Sequence, residues 1–182
     1  MRAIRSAGAV PLTWDDLQEL PDDGYRRELV HGQLLVTPSP TMGHQNVVFQ
    51  LGLLLGNACP VGLKILPAPC DWKLSPETVF EPDLLVIDRA DYHPAAVLTG
   101  TPRLVVEVLS PSTRDTDLSL KRLEYERAGV PAYWLVDTDP PCLTVLQLVD
   151  GTFSEVARVE GPASYRADLP FPVTVVPADL LH

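Results

Sequence analysis

One stretch in the middle of the chain constrains the fold more than any other, because it carries the pattern of a strand, a helix and a second strand. An apolar run over residues 103–109 lies between prolines, a helical pattern covers 113–128, and a further apolar run covers 133–137. Gly129 and Pro131 stand where a helix C-cap glycine and a following proline are expected. Such a unit joins parallel strands through a right-handed crossover. We therefore predict an α/β fold, built on a mixed sheet with helices on both faces.

Weaker patterns predict the elements on either side of this unit. Thr13 to Asp16 resembles a capping box that begins a short helix ending at Leu20. Tyr25 to Val36 has the pattern of a hairpin that turns at His31-Gly32. Apolar residues recur at helical spacing within 40–58. Further strands are expected over 63–66, 70–74, 79–87 and 143–149, followed by small β elements from 153 onward and a last turn at 177–181.

Length, charge and hydropathy limit the class of protein. The 182 residues fit one domain spanning 1–182, and 46% of them are hydrophobic, which supports a real core. A formal net charge of −10 argues against a general nucleic-acid coat protein, which relies on summed positive charge. It does not exclude a nuclease, because bound cations reverse the local field of a carboxylate site. Residues 1–10 are too short and too weakly apolar for a signal peptide, so we expect a cytoplasmic protein without a membrane span.

Glu107 is the charged residue within the apolar strand predicted over 104–109. Because side chains alternate between the faces of a strand, Glu107 shares a face with Val105 and Leu109, while the opposite face is entirely apolar. A carboxylate in a strand covered on both sides is costly unless it is paired, protonated or bound to a metal. A structural pair with an arginine is the alternative, but we favour a functional carboxylate, because charged residues are almost never buried without a partner.

Asp83 is the second candidate carboxylate. It stands directly before the apolar run 84–87, at the start of a predicted strand. Pro82 is tolerated in front of it, because the first residue of a strand can lack a hydrogen-bond donor to the ladder. Taken alone, Asp83 would be interpreted as a turn residue, so its interest depends on a second carboxylate from a neighbouring strand.

Lys121 is the third candidate, and it is one of only three lysines against eleven arginines. On the helix predicted over 113–128 it shares an apolar face with Leu118, Tyr125 and Ala128. A lysine on such a face either extends out to solvent or reaches a buried carboxylate. The crossover lays this helix over the strand that holds the central glutamate, which favours the second arrangement.

Two carboxylates from neighbouring strands and a lysine from the packed helix suit a hydrolytic metal site. Hard cations such as Mg²⁺ take oxygen ligands and keep several waters. A metal in that position activates a water and stabilises the displaced oxygen. The lysine would stabilise charge on a phosphate or orient the attacking water. We therefore expect a site for Mg²⁺ or Mn²⁺ formed by Asp83 and Glu107, with Lys121 as a catalytic partner.

Four stretches of sequence also carry a family pattern: YRRELVHG at 25–32, PSPTMGH at 38–44, EPDLLVI at 81–87 and, most specifically, residues 102–137. In these stretches the chain resembles the Uma-type restriction endonucleases, a bacterial group within the PD-(D/E)XK nuclease superfamily. The resemblance covers roughly residues 13–150. It implies a restriction endonuclease-like fold, in which a mixed β-sheet core is flanked by helices and carries extra β-hairpins.

The resemblance implies that Pro82-Asp83 is the "PD" of the superfamily and Glu107 the "(D/E)". The usual third residue of the superfamily is a lysine two positions after that glutamate, where this chain has Leu109. This position departs from the superfamily pattern. The resemblance implies that the lysine has moved to the following helix, and Lys121 matches that role.

Two auxiliary residues follow from the resemblance. It implies Glu28 as a supplementary metal ligand and His44 as a polar residue of the site. From the residues alone, Glu28 would be a surface charge on a hairpin and His44 an ordinary residue at the start of a helix.

The expected function is Mg²⁺-dependent hydrolysis of DNA phosphodiester bonds by an endonuclease. A cut of both strands would need two active sites, so a homodimer is attractive. Two alternatives stay open, because a fold does not guarantee a function. The first is a binding or assembly protein that keeps the fold without the reaction, which the net charge of −10 and Leu109 favour. The second is a metal hydrolase acting on another phosphoester.

Overall fold

A computed structural model describes residues 10–21 and 23–182, together with the backbone of 2–4. The N-terminal segment in which no signal peptide was expected lies largely outside these residues. Among the helices that are described, none is long and apolar enough to cross a membrane.

A six-stranded sheet forms the centre of the molecule. Its spatial order is β11-β10-β9-β8-β7-β4, and neighbouring strands are antiparallel except β8 and β9, which are parallel. The parallel pair flanks the crossover, so the predicted strand–helix–strand unit is confirmed. The strands are β4 (Leu63–Pro67), β7 (Leu84–Asp88), β8 (Leu104–Val108), β9 (Ala132–Thr138), β10 (Pro141–Val149) and β11 (Thr152–Glu160).

A second sheet of five strands has the order β1-β3-β2-β6-β5. The predicted hairpin at its centre is confirmed, and its turn at His31 and Gly32 uses positive φ angles of 51° and 72°. Two short strands, β12 and β13, form a separate antiparallel pair. These strands are β1 (Arg2–Ile4), β2 (Arg26–Val30), β3 (Gln33–Thr37), β5 (Trp72–Ser75), β6 (Thr78–Phe80), β12 (Tyr165–Ala167) and β13 (Val173–Val175).

The prediction of one strand over residues 79–87 is wrong. The chain leaves the second sheet at the end of β6 and enters the central sheet at the start of β7, with Glu81, Pro82 and Asp83 between them. Pro82 lacks an N–H donor and cannot extend a ladder, so the run breaks there. The break brings Glu81 and Asp83 to the place where the two sheets meet.

Helices cover both faces of the central sheet. α1 (Trp14–Gln18) has the predicted capping box and ends two residues before Leu20. α2 (Met42–Ala58) begins after its cap Thr41 and packs an apolar side against one face of the sheet. The crossover helix covers the other face and consists of α3 (Arg114–Thr116), a π-helical turn (Asp117–Lys121) and α4 (Arg122–Arg127). Short 3-10 helices span Arg89–Asp91 and Pro177–Leu181.

Two apolar clusters share the central sheet. Alternate residues of β8 divide between them, with Val106 in the cluster under α2 and Val105 in the cluster under the crossover helix. The expected alternation of this strand is therefore confirmed. The prediction of small β elements after residue 153 is wrong for β11, a nine-residue strand that extends the central sheet.

Candidate active site

Asp83 lies beside β8, at the entrance to β7. The register pairs Leu84 with Val106, so one step back along β7 Asp83 stands opposite Glu107. Its Oδ2 accepts a hydrogen bond of 2.7 Å from the backbone N–H of Val108 and lies 3.2 Å from Nε2 of His44. The side chain is buried. A carboxylate fixed by a neighbouring strand and a helix has little freedom, so its second oxygen, Oδ1, has a defined direction.

Glu107 is buried one residue before the end of β8, on the face covered by the crossover helix. Its Oε1 accepts hydrogen bonds from Lys121 Nζ at 2.9 Å and from the Tyr125 hydroxyl at 2.8 Å. The predicted meeting of Glu107 and Lys121 thus occurs in the structure, with both side chains almost inaccessible to solvent.

Lys121 ends the π-helical turn of the crossover helix. Its ammonium lies 2.9 Å from both Glu28 Oε1 and Glu107 Oε1, and 3.5 Å from Asp117 Oδ1. The prediction that Leu118 shares the buried face of the helix with Lys121 is wrong. Leu118 is 40% exposed, and Asp117 is buried in its place. π-helical turns are rare and recur at functional sites, and this one places an acid and a base side by side in the interior.

Glu28 is 2% exposed, so its interpretation as a surface hairpin charge is wrong. It lies in the middle of β2, where the second sheet faces the crossover helix. Its Oε1 accepts a hydrogen bond of 2.9 Å from the backbone N–H of Glu81 and pairs with Lys121. The structure therefore brings Glu28 and Glu107 together at Lys121. Asp83, the other predicted ligand, stands opposite Glu107 on the neighbouring strand.

Arg26 completes the cluster, and the sequence-based prediction missed it. Its guanidinium lies 2.9 Å from Asp83 Oδ1, 3.6 Å from Glu107 Oε2 and 3.7 Å from Glu28 Oε1. It also donates to the carbonyl oxygen of Glu81. Alternation along β2 puts Arg26 on the same face as Glu28, and that shared face is the signal by which it could have been found. Asp117 was missed as well, although it stands one helical turn before Lys121.

His44 stands in the first turn of α2 and reaches Asp83 with Nε2. Its backbone N–H is capped by Thr41 Oγ1 at 3.2 Å, which fixes the start of the helix. Its Nδ1 is buried without a hydrogen-bond partner. The imidazole therefore contacts a candidate metal ligand through one nitrogen, while its other nitrogen is buried and makes no hydrogen bond.

The cluster contains more negatively charged than positively charged side chains. Four buried carboxylates, those of Glu28, Asp83, Glu107 and Asp117, share two cations, Arg26 and Lys121. Fully ionised, these side chains would leave two uncompensated negative charges in the protein interior. Burying unpaired charge is costly, so the cluster favours either added protons or an added cation.

The pKa values of the carboxylates reflect that excess. Burial, reinforced by the charges of Asp117 and Asp83 and opposed by Lys121, raises the pKa of Glu107 to about 8. Burial would also raise the pKa of Asp83, but the hydrogen bond from His44 and the charge of Arg26 outweigh it and lower that pKa to about 2. In the same way Lys121 and Arg26 outweigh burial and lower the pKa of Glu28. The excess negative charge therefore bears most on Glu107, whereas Asp83 and Glu28 are stabilised in their ionised forms.

The donor set fits a hard divalent cation. The side chains supply carboxylate oxygens, and Mg²⁺ and Mn²⁺ select carboxylate, carbonyl and water ligands. Asp117 Oδ1 is buried without a hydrogen-bond partner, and the two excess negative charges match one divalent ion. Within residues 10–21 and 23–182, no three His, Cys, Asp or Glu side chains already stand in a ligand arrangement. The guanidinium of Arg26 and the ammonium of Lys121 lie among the carboxylates of this cluster.

A cleft of about 620 Å³ opens next to the cluster. Arg26 and His44 line its inner wall, and Leu109 lies beside them. Five residues that carry hydroxyl groups also line the cleft: Ser39, Thr41, Ser110, Ser112 and Thr113. At the start of the crossover helix Thr113 makes no side-chain cap bond, and Ser110 Oγ lies 3.0 Å from the hydroxyls of Ser112 and Thr113. None of the four buried carboxylates lines the cleft. The cleft reaches Arg26 and His44, and both of these side chains contact Asp83.

The class of fold follows from this architecture and from its likeness to solved structures. The chain is similar to the crystal structure of "a putative nuclease belonging to DUF820" from Anabaena variabilis, with a TM-score of 0.73. The identity is 17%, and the match covers 94% of this chain and 98% of that chain. At this identity the likeness shows the fold alone, which is the restriction endonuclease-like fold expected from the sequence.

The particular family follows from the sequence. The sequence model of the Uma2 family, described as "Putative restriction endonuclease", matches residues 14–178. The chain therefore belongs to the Uma2 family. A search of curated proteins finds no match.

Proposed function

We propose that this protein is a metal-dependent endonuclease that hydrolyses DNA phosphodiester bonds. One observation carries the proposal: the Lys121 ammonium lies 2.9 Å from Glu107 Oε1 in a buried cluster that also contains Asp83, next to a cleft lined by Arg26 and His44. Membership in a family of restriction endonuclease type supports a nuclease.

Asp83 and Glu107 would hold the cation, with Glu28 as the supplementary ligand. Bound there, a divalent cation supplies Lewis acidity at the phosphate and lowers the pKa of a water. Asp83 and Glu107 come from adjacent strands, so the sheet itself sets the separation of their carboxylates. The backbone N–H of Val108 and the imidazole of His44 orient Asp83, while Tyr125 and Lys121 orient Glu107. Ligands fixed in this way by neighbouring groups bind a metal more tightly than free ones.

Lys121 would stabilise the negative charge that develops on the phosphate, or it would orient the attacking water. The position that usually carries a lysine is taken by Leu109, which is 7% exposed and packs in the apolar cluster under the crossover helix. The π-helical turn supplies an ammonium to the same glutamate from the crossover helix. Positive charge placed in advance where negative charge develops is an effective form of catalysis in a water-poor site.

DNA would reach the site through the cleft beside α2. The phosphate backbone would meet the hydroxyls of the cleft and the free N–H groups of the α2 N-terminus, which favour anions. The net charge of −10 predicts weak ground-state affinity that falls further with salt. A cut of both strands needs two sites, so we propose that two copies of the chain act together.

The test is cleavage of supercoiled plasmid DNA at low salt, with enzyme in excess. Wild type is expected to produce nicked and linear DNA with Mg²⁺ or Mn²⁺ and none with EDTA. Glu107→Gln removes a proposed ligand with little change of volume, and Lys121→Ala removes the ammonium; both are expected to lose most of the rate. Lys64→Ala, a lysine that contacts Tyr92 away from the cluster, is the matched control. Equal residual cleavage by all four identically purified proteins would refute the proposal.

A binding or assembly protein that does not catalyse is the second candidate. One observation favours it: Arg26 and Lys121 already pair with all the carboxylates of the cluster, so the fold can stand without a metal. In that case Mg²⁺ and Mn²⁺ would not raise the melting temperature. The remaining alternative, hydrolysis of another phosphoester, would appear as turnover of a small phosphodiester such as bis-p-nitrophenyl phosphate in the absence of DNA cleavage.

A further inference from the structure

Each of the two central carboxylates has one oxygen engaged by the protein and one that faces Arg26. Asp83 Oδ2 accepts the bond from Val108 and contacts His44, while its Oδ1 lies 2.9 Å from the guanidinium. Glu107 Oε1 accepts bonds from Lys121 and Tyr125, while its Oε2 lies 3.6 Å from the guanidinium. The two oxygens that remain for a bridging cation are therefore the two that Arg26 contacts.

We propose that Arg26 is a built-in cation that occupies the metal position and that a divalent ion must displace before the site can act. The inference rests on the proposed metal site and adds a competitor to it. A guanidinium is planar, always charged and suited to carboxylates, so it satisfies Asp83 and Glu107 when no metal is bound. It cannot activate a water, and it therefore holds the cluster in a stable but inactive state.

The surroundings of Arg26 give the displaced side chain a place to go. Its side chain is 13% exposed, and it lines the cleft together with Thr37 and Ser39. Its Nε lies 3.6 Å from Glu81 Oε1, whose side chain is 18% exposed and stands at the outer side of the cluster. Rotation about the outer bonds of the arginine moves the guanidinium from the two carboxylates toward the cleft. There it would meet an incoming phosphate, which arginine binds through two parallel N–H donors.

This exchange couples the metal to the phosphate. When a metal displaces Arg26, the guanidinium becomes available to bind a phosphate. When a phosphate holds Arg26 in the cleft, the carboxylates of Asp83 and Glu107 become available to the metal. Linkage requires that each ligand strengthen the other by the same factor. A residue with a purely structural role would show no such coupling, so the coupling separates the two interpretations of Arg26.

The experiment measures Mn²⁺ affinity by isothermal titration calorimetry, using wild type, Arg26→Gln and Arg103→Gln. Arg103 pairs with Asp88 outside the cluster, so its variant is the matched control. Arg26→Gln is expected to bind Mn²⁺ about tenfold or more tightly than wild type, because a unit charge is removed within a few ångström of the ion. Arg103→Gln is expected to match wild type. Equal or weaker Mn²⁺ binding by Arg26→Gln would overturn the inference.

A second titration, with saturating inorganic phosphate, tests the coupling. Phosphate is expected to tighten Mn²⁺ binding to wild type several-fold and to have little effect on Arg26→Gln. Equal phosphate effects in both proteins would overturn the role of Arg26 in the cleft. Arg26→Gln leaves acids unpaired, so its unfolding without metal and its rescue by Mn²⁺ would support the inference. If Arg26→Gln stays unfolded at saturating Mn²⁺, the Arg26→Lys variant is used in its place. Lysine is shorter and carries its charge at a single point, so this variant should bind Mn²⁺ more tightly than wild type. Equal Mn²⁺ binding by Arg26→Lys and wild type would overturn the proposal.

The outcomes for Arg26 and for the nuclease are distinguishable. If wild type cleaves DNA but Arg26→Gln binds Mn²⁺ as wild type does, the competitor role fails and the nuclease stands. If Arg26→Gln binds Mn²⁺ more tightly but no variant cleaves DNA, the competitor role stands and the nuclease fails. If neither wild type nor Arg26→Gln binds Mn²⁺, both proposals are overturned.

Discussion

Replacement of Lys121 by methionine tests how far the buried cluster depends on its ammonium. Methionine has about the same length and no charge, so packing changes little while two carboxylates at 2.9 Å lose their cation. Removal of one partner from a buried pair costs about 3–5 kcal/mol, because it leaves an uncompensated charge. Here the loss has a limit, since Glu107 can take up a proton. We therefore expect the free energy of unfolding to fall by about 3–5 kcal/mol at pH 8, and by less at pH 5.

The assay is urea unfolding in EDTA, followed by circular dichroism, with Lys64→Met as the control. Lys64 Nζ lies 4.1 Å from the Tyr92 ring centroid, a contact whose loss is expected to cost about 1 kcal/mol or less. A loss for Lys121→Met no larger than for Lys64→Met would refute the view that Lys121 neutralises the cluster. Addition of Mg²⁺ is expected to recover part of the loss in Lys121→Met, because the ion supplies positive charge to the same carboxylates.

Three further predictions follow. Millimolar Mg²⁺ or Mn²⁺ is expected to raise the melting temperature of wild type but hardly that of Asp83→Asn, because ligand binding stabilises by mass action; equal rises would place the ion elsewhere. The pKa of Glu107 is raised from 4.5 to about 8, so its stabilising contribution is present below pH 4.5 and is lost as the pH rises through 8. In EDTA, urea titrations should show wild type losing up to about 5 kcal/mol relative to Glu107→Gln across this window; parallel profiles would contradict the shift. Gly129→Ala is expected to cost about 1–2 kcal/mol from backbone strain alone, because Gly129 has φ +75° and open space around an added Cβ; an unchanged urea midpoint would contradict it.

The local patterns of the sequence predicted much of the fold. Alternation along 104–109 placed Glu107 on the face under the crossover helix, and the hairpin turn at His31-Gly32 and the helix end at Gly129 were predicted from local chemistry. These features depend on neighbours within a few residues. The strand predicted over 79–87 failed because an apolar run does not reveal that its two halves belong to different sheets. Only the pairing partners, β2 for one half and β8 for the other, decide that.

Local patterns also identified part of the candidate site and missed the part that depends on distant contacts. Asp83, Glu107 and Lys121 each stood out because a charged residue adjoined an apolar strand or helix face. Arg26 did not, because the next residue is also an arginine and the strand looks amphipathic; its burial arises from contacts 55 to 81 positions away, with Glu81, Asp83 and Glu107. The inward position of Asp117 depends on a π-helical turn, which the periodicity of an α-helix does not predict.

The position of a bound metal ion would show whether Asp83 and Glu107 form the metal site. Crystals of wild type soaked in MnCl₂ and measured at a wavelength where manganese scatters anomalously would locate the ion. We expect an anomalous peak about 2.0–2.3 Å from Asp83 Oδ1 and Glu107 Oε2, with the Arg26 guanidinium turned toward the cleft. A peak elsewhere would contradict a metal site at Asp83 and Glu107, and Arg26 still between the two carboxylates in a protein that cleaves DNA would contradict its displacement by the metal.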